Sequence, residues 1–228
     1  MCTVTFLPLD KNNFILTSSR DVPYIREKAL HPKEYIEDGV LLTYPKDGKA
    51  GGTWIGTSSK SRLICLLNGG YKNHIPQDSY RKSRGLVVKE LLRANDINEA
   101  LNTTDLVNIE PFTLVILDWN DELELYEFVW TGKKKHLFNI PHFPHIWSSS
   151  TLYDDETKKI RQNWFDNWNF DTHDAIVDFH KSAGNGDESK NVLMRRDKGG
   201  TVSITSVKME NGELSISYED VLPENINN

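Results

Sequence analysis

The chain has 228 residues, of which 38% are hydrophobic and 26% charged, an ordinary globular balance with material for a sizeable core. A formal net charge of -6 argues against a phosphate-backbone partner, which would want a basic face. No apolar run approaches the roughly 18 residues that cross a bilayer, and the first residues lack the basic-then-apolar pattern of a secretory signal.

The chain opens Met1-Cys2-Thr3-Val4-Thr5-Phe6-Leu7, followed after the polar loop Asp10-Lys11-Asn12-Asn13 by Phe14-Ile15-Leu16-Thr17-Ser18-Ser19-Arg20-Asp21. Both runs read as strands. Removal of Met1 would give Cys2 a thiol and a free α-amine on one residue. That joins a nucleophile to a base whose reference pKa of about 7.7–8.0 leaves a useful neutral fraction near pH 7. Pairing the two strands would bring Arg20 and Asp21 to a strand end near Cys2. The other cysteine, Cys65, lies within Leu63-Ile64-Cys65-Leu66-Leu67 and reads as a small buried hydrophobe. Two cysteines make no disulfide framework, which fits a reducing cytoplasm.

Val22 to Gly52, with Pro23, Pro32 and Pro45, reads as loops and short edge strands. Gly51-Gly52-Thr53-Trp54-Ile55-Gly56 leads tightly into a strand, with Trp54 favoured for the core. Arg62 to Leu67 is the next strand, ended by Asn68-Gly69-Gly70, where glycine permits positive φ or a close ligand approach. Asp78 to Asn95 reads as a helix with Tyr80, Val87, Val88 and Leu91 on one stripe and Asp78 or Ser79 as cap. Asp96 to Leu101 reads as a short second helix. Phe112 to Leu117 and Leu123 to Val129 read as a hairpin about Asn120-Asp121, and Lys134 to Phe138 as a further strand. The basic run Lys133-Lys134-Lys135 is expected on a solvated edge.

Asp154 to Trp168 reads as a helix with Ile160, Trp164 and Trp168 in register and acidic residues in its first turn. Thr172 to Ala183 is another, with Asp171 as N-cap, Gly184 as stop, and Ile176, Phe179 and Ala183 on one face. Thr201 to Met209 and Leu214 to Tyr218 flank Asn211-Gly212, a strong hairpin signal. Alternation of Leu214, Ile216 and Tyr218 with serines predicts one buried and one wet face. No repeat or domain boundary stands out, so the expectation is a single domain over 1–228.

Met1-Cys2, Ser19-Arg20-Asp21, Gly51-Gly52-Thr53-Trp54-Ile55-Gly56 and Ile146-Trp147-Ser148-Ser149-Ser150 ahead of a charged helix occur in this order. Together they resemble the NRDE family, whose animal members are the transport and Golgi organisation two proteins. The resemblance runs from Cys2 to about Trp168, and more loosely to Tyr218. It implies an N-terminal nucleophile hydrolase architecture, α+β, a four-layer αββα sandwich of two mainly antiparallel sheets. It also implies Cys2 as nucleophile on a non-peptide amide, its own amine as base, and Arg20 and Asp21 as neighbours holding both. The oxyanion hole it implies uses backbone near Asn68 and Gly69 and the side chain of Ser149. Three positions depart from the family pattern. Ser19 stands for Asn, Val22 for Glu, and Ser149 for Asn.

The resemblance also implies a second reading, a non-catalytic carrier or chaperone for haem or another apolar ligand. His142, His145 and His180 would be its candidate imidazoles. Pro141 and Pro144 break any helical spacing between the first two, so loop packing is favoured for them over a metal role. No resident cofactor is expected. The expected partner is a small-molecule substrate or ligand, with no nucleic acid and no membrane span, and nothing in the sequence bears on oligomeric state.

Overall fold

In the computed structural model, which describes residues 3–170 and 174–223, the strands at the start of the chain pair with those at its end. The chain divides into two compact units, one of Met1–Arg26 with Phe143–Asn228 and the other of Glu27–His142.

The first unit is built on β1 (Thr3–Pro8), β2 (Phe14–Pro23), β10 (His145–Ser148), β11 (Arg195–Arg196), β12 (Gly199–Glu210) and β13 (Glu213–Asp220). Among the described residues they form one antiparallel sheet ordered β10-β1-β2-β12-β11, with β13 also paired to β12. Asp10 sets the β1–β2 turn by accepting the amides of Asn12 and Asn13 at 2.9 and 3.0 Å. Asn211 and Gly212, with φ of 53° and 82°, make the β12–β13 turn as expected from their residue types.

Helices α3 (Asp155–Asp166) and α4 (Ala175–Ser182) pack on one face of this sheet. Asp154 caps α3 by accepting the Thr157 amide at 2.8 Å. The expected N-cap of α4, Asp171, lies outside the described residues, as does Thr172; the helix starts after Asp174. Leu7 and Ile15 meet Phe165, Ile176, Phe179, Ala183 and Val192 in one apolar cluster. The buried stripe of α3 is Thr157, Arg161 and Phe165, with Ile160, Trp164 and Trp168 half-buried beside it. The expected stripe was therefore offset by one position, because a buried arginine occupies its centre.

The second unit is a meander in chain order: β3 (Leu30–Glu37), β4 (Val40–Lys46), β5 (Ile55–Ser58), β6 (Arg62–Asn68), β7 (Phe112–Asp118), β8 (Glu124–Trp130) and β9 (Lys135–Asn139). Helices α1 (Arg84–Arg93) and α2 (Ile97–Thr103) are inserted between β6 and β7. Arg62, fully buried, joins strand to helix. It pairs with Asp118 at 2.8 Å and donates to the carbonyls of Leu91 and Ala94 at the end of α1. Lys135 does the same for α2, donating to the carbonyls of Leu101, Asn102 and Thr104, so it is not a freely solvated edge residue. Partial burial lowers its pKa.

Several local expectations are sharpened or corrected. The edge strands expected within Val22 to Gly52 are present and are joined as a hairpin, β3–β4, turned by Asp38 and Gly39 with φ of 50° and 78°. Pro32 and Pro45 fall where its register breaks, between Leu30 and Lys33, so neither interrupts the ladder elsewhere. Helix α1 begins only after Ser83; upstream, the Arg81 amide bonds to the Asn108 carbonyl in place of a helical partner. His145–Ser148 is a strand and not a loop. β13 is largely exposed on both faces, with Leu214 37% exposed, since it forms a sheet edge.

The Gly51–Gly56 motif has a packing role. A Cβ on Gly52 would lie 2.5 Å from the carbonyl carbon of Gly85, and one on Gly85 would lie 2.7 Å from the Thr53 oxygen. Only two glycines let the start of β5 and the start of α1 approach this closely. Thr53 donates its hydroxyl to the Pro45 or Ile55 carbonyl, each at 2.7 Å, and Trp54 is buried. A Cβ on Gly56 would meet Tyr44 and Leu92 at 2.9 and 3.1 Å.

Candidate active site

Alternation along β1 and β2 divides the helix-facing side of the first sheet. Its apolar end holds Leu7 and Ile15; its other end carries Thr3, Thr5, Thr17, Ser19 and Asp21. These polar residues are buried, and helices and loops supply their partners. Thr17 bonds Ser206 at 2.8 Å across β2 and β12. His180 on α4 is clamped between two strands, with Nε2 2.9 Å from Thr5 Oγ1 and Nδ1 2.7 Å from Ser19 Oγ. Burial, helped by the Arg161 charge, pulls its pKa down to about 3. The neutral ring offers one donor and one acceptor, which suits two hydroxyls. Both its nitrogens are engaged, which removes it from the candidate haem ligands.

Arg161 is also fully buried. It donates to Thr3 Oγ1 at 2.6 Å, to the Lys190 carbonyl at 3.0 Å and to the Asn191 carbonyl. Its guanidinium carbon lies 3.8 Å from the centre of the Tyr153 ring. The Tyr153 hydroxyl in turn donates to Asp21 Oδ2 at 2.7 Å, with Met194 Sδ at 3.3 Å. Thr201 donates to Asp21 Oδ1 at 2.6 Å while its own oxygen accepts the Met194 amide, which fixes the direction of the hydroxyl proton. Asp21 is thus a buried carboxylate held by two hydroxyls, next to an arginine reached through an aromatic ring.

A β-bulge makes this possible. The β2–β12 register shifts between Thr201 and Ser203, so Thr201 lies opposite Asp21 and Ser203 opposite Arg20. Without the extra residue, Thr201 and Ser203 would share a face. With it, Thr201 reaches Asp21 while Ser203 shares the other face with Arg20.

Of the residues expected at the site, Arg20 and Asp21 are buried neighbours on opposite faces of β2. Ser149 is buried just past β10; its Oγ lies 3.0 Å from Thr151 Oγ1, and its carbonyl accepts the Tyr153 amide. Arg20, Asp21, Ser149 and the network around Tyr153 therefore belong to one unit. Asn68 closes β6 in the other unit, opposite Phe112. The amide of Gly69 beside it is taken by the Pro111 carbonyl at 3.0 Å. Cys2 lies outside the described residues. Thr3, Tyr153, Arg161 and Thr201 were not singled out from sequence, and His180 was named only as a candidate haem ligand. The one local signal was the position of Arg161 between Thr157 and Phe165 at helical spacing.

The family profile for Transport and Golgi organisation 2 matches residues 1–178. The chain belongs to that family. No curated protein sequence matches it. Among solved structures, this Transport and Golgi organisation 2 member is similar to the N-acylethanolamine-hydrolyzing acid amidase orthologue of Caenorhabditis elegans, with a TM-score of 0.57 and 11% identity over 90% of this chain and 92% of that one. It is also similar to penicillin V acylase from Agrobacterium tumefaciens, with a TM-score of 0.51 and 9% identity over 97% and 86% of the two chains. A variant of conjugated bile acid hydrolase from Clostridium perfringens gives 0.51 and 11% over 100% and 94%. At these identities the likeness establishes the fold, that of N-terminal nucleophile hydrolases, α+β with two antiparallel sheets. No helix among the described residues is long and apolar enough to cross a membrane.

Proposed function

We propose that this family member is an N-terminal cysteine amidohydrolase acting on a non-peptide amide of a small molecule. The observation that carries the reading is the register around β1. Thr3 lies opposite Ser19 on one side and Ser148 on the other. The next residues along those two partner strands are Arg20 and Ser149. In the proposed mechanism this pair serves the nucleophile, the guanidinium favouring a thiolate and the hydroxyl donating to a developing oxyanion. Asp21, on the opposite face, would hold the α-amine at the strand end. The Arg161–Thr3 bond anchors the neighbouring residue, so the start of β1 is fixed where a nucleophile needs to be still.

In this reading the α-amine takes the thiol proton and sulfur attacks the amide carbonyl carbon. The C–N bond breaks and the amine departs with that proton. Water then cleaves the thioester to the carboxylic acid, restoring the thiol. Ser149 is the proposed donor to the tetrahedral oxygen, of a type worth about 10²–10³ in rate.

The test is the intact mass of purified protein, followed by iodoacetamide labelling at neutral pH and turnover of a fluorogenic N-acyl arylamide. Loss of Met1, labelling confined to Cys2 and turnover abolished by Cys2→Ala are expected. Retention of Met1 in protein that still turns over, or turnover unchanged in Cys2→Ala, overturns the mechanism.

A further inference from the structure

The sequence holds three Asn-Gly dipeptides, Asn68-Gly69, Asn185-Gly186 and Asn211-Gly212. In such a pair the glycine nitrogen can attack the asparagine side-chain carbon, because no Cβ on the second residue stands in the way. The fold treats the three differently. Asn68 ends β6 opposite Phe112, and the Gly69 amide is held by the Pro111 carbonyl at 3.0 Å. Asn211-Gly212 is the β12–β13 turn, clamped by the pairing of Glu210 with Glu213. In both, the attack has to bend or break paired backbone.

Asn185-Gly186 lies in the loop between α4 and β11, and both residues are exposed. Gly186 has a φ of 95°, nothing stands within 4 Å of where its Cβ would be, and its amide bonds to no described residue. The Asn185 side chain is already folded back along the chain. Its Oδ1 accepts the Asp187 amide at 3.2 Å, which keeps its amide carbon beside the Gly186 nitrogen. The rest of the loop leads to the candidate site. The Asn185 amide donates to Asn191 Oδ1 at 3.2 Å, and the amides of Lys190 and Asn191 both reach the Asp187 carbonyl at 2.9 Å. The carbonyls of Lys190 and Asn191 in turn accept Arg161, which holds Thr3. A Cβ on Gly184 would lie 2.1 Å from Asn191 Oδ1, so the Asn191 side chain rests directly on the loop backbone.

We propose that Asn185 is a modification site, where the protein deamidates through a succinimide, and that the product loosens the anchor of Arg161. The chemistry needs only water. The Gly186 nitrogen bonds to the Asn185 side-chain carbon and gives up its proton. The bond from that carbon to the amide nitrogen breaks, and ammonia leaves with the proton. Water then opens the ring at either carbonyl. One opening leaves aspartate. The other leaves isoaspartate, whose main chain runs through the side-chain carbon and is longer by one methylene. That extra length falls where the loop closes on itself, and it displaces the Asn185 amide from Asn191 Oδ1. The shift reaches the carbonyls of Lys190 and Asn191, and through them the guanidinium of Arg161. The proposal stands whether or not Cys2 is a nucleophile.

The experiment ages the full-length protein in warm, mildly alkaline buffer. Peptide mapping by mass spectrometry follows each asparagine, and enzymatic methylation counts isoaspartate. Asn185 converts at least about tenfold faster than Asn68 or Asn211, the factor that one hydrogen bond adds to a barrier. Aged protein rich in isoaspartate melts at a lower Tm than fresh protein. Asn185→Ala protein keeps its Tm on ageing, and Asn185→Asp, which has the charge without the longer main chain, melts with fresh protein. In Arg161→Met protein ageing lowers Tm less, since the anchor is already lost. An Asn185 that stays intact, or conversion at Asn68 or Asn211 as fast as at Asn185, overturns the site. Conversion at Asn185 with Tm unchanged, an Asn185→Asp variant as unstable as aged protein, or an equal fall in Arg161→Met overturns the link to Arg161.

Discussion

At the residue scale, the carboxylate of Asp21 is held from two elements of the candidate site. It is buried and takes one charge-assisted hydrogen bond from Tyr153 and another from Thr201. Such bonds contribute about 1.5–3 kcal/mol each. Tyr153→Phe should therefore lower the urea-unfolding free energy by that amount and slow iodoacetamide labelling of Cys2. Phe165→Leu, in the apolar cluster, should lower stability without changing labelling of the folded protein. Arg161→Met should cost more, about 3–5 kcal/mol. It leaves Thr3 and the Lys190 and Asn191 carbonyls without their donor. The Arg20-Asp21 pair could be picked out from sequence because it falls in the order of the family motifs, between Cys2 and the Gly51–Gly56 run. Tyr153 and Thr201 could not. Each is an ordinary residue in an ordinary context, and its role arises from contact with a residue 132 or 180 positions away.

At the element scale, the family motif around Gly52 is first a packing device. Gly52→Ala or Gly85→Ala would force the β5 approach and the start of α1 apart, at about 1–3 kcal/mol or more. Circular dichroism melts of both variants check this, and the double variant should cost less than the sum because the two sites share one contact. Turn chemistry was readable where a strong dipeptide stood alone, as at Asn211-Gly212. Asp38-Gly39 is a dipeptide of the same kind, but it sits between Pro32 and Pro45, and nothing local shows that those prolines share one register break. His145–Ser148 was hidden in the same way behind Pro141 and Pro144. Its strand character depends on pairing with β1, a partner from the start of the chain.

At the scale of the whole molecule, His180 ties stability to pH. Its folded-state pKa is depressed to about 3 from an ordinary value of 6.5. Between those values the unfolded chain binds a proton that the folded one refuses. Stability from this group is then complete above about pH 6.5 and lost as pH falls, with a slope approaching 1.4 kcal/mol per pH unit. Urea midpoints from pH 7 to 4 should show the decline, and His180→Asn, less stable at pH 7, should show a flatter profile.

The first unit is split in the sequence, with Glu27–His142 standing between its parts. Strand β2 finds β12 only when residues near 200 have been made. On the ribosome the intervening meander, whose strands pair in chain order, has its partners at hand early, while the opening strands wait for nearly the entire protein. The opening strands are therefore open to other proteins of the cell long before β12 exists to cover the edge of β2. Emergence of the first strands and completion of the sheet that holds them are separated in time by the order of translation itself.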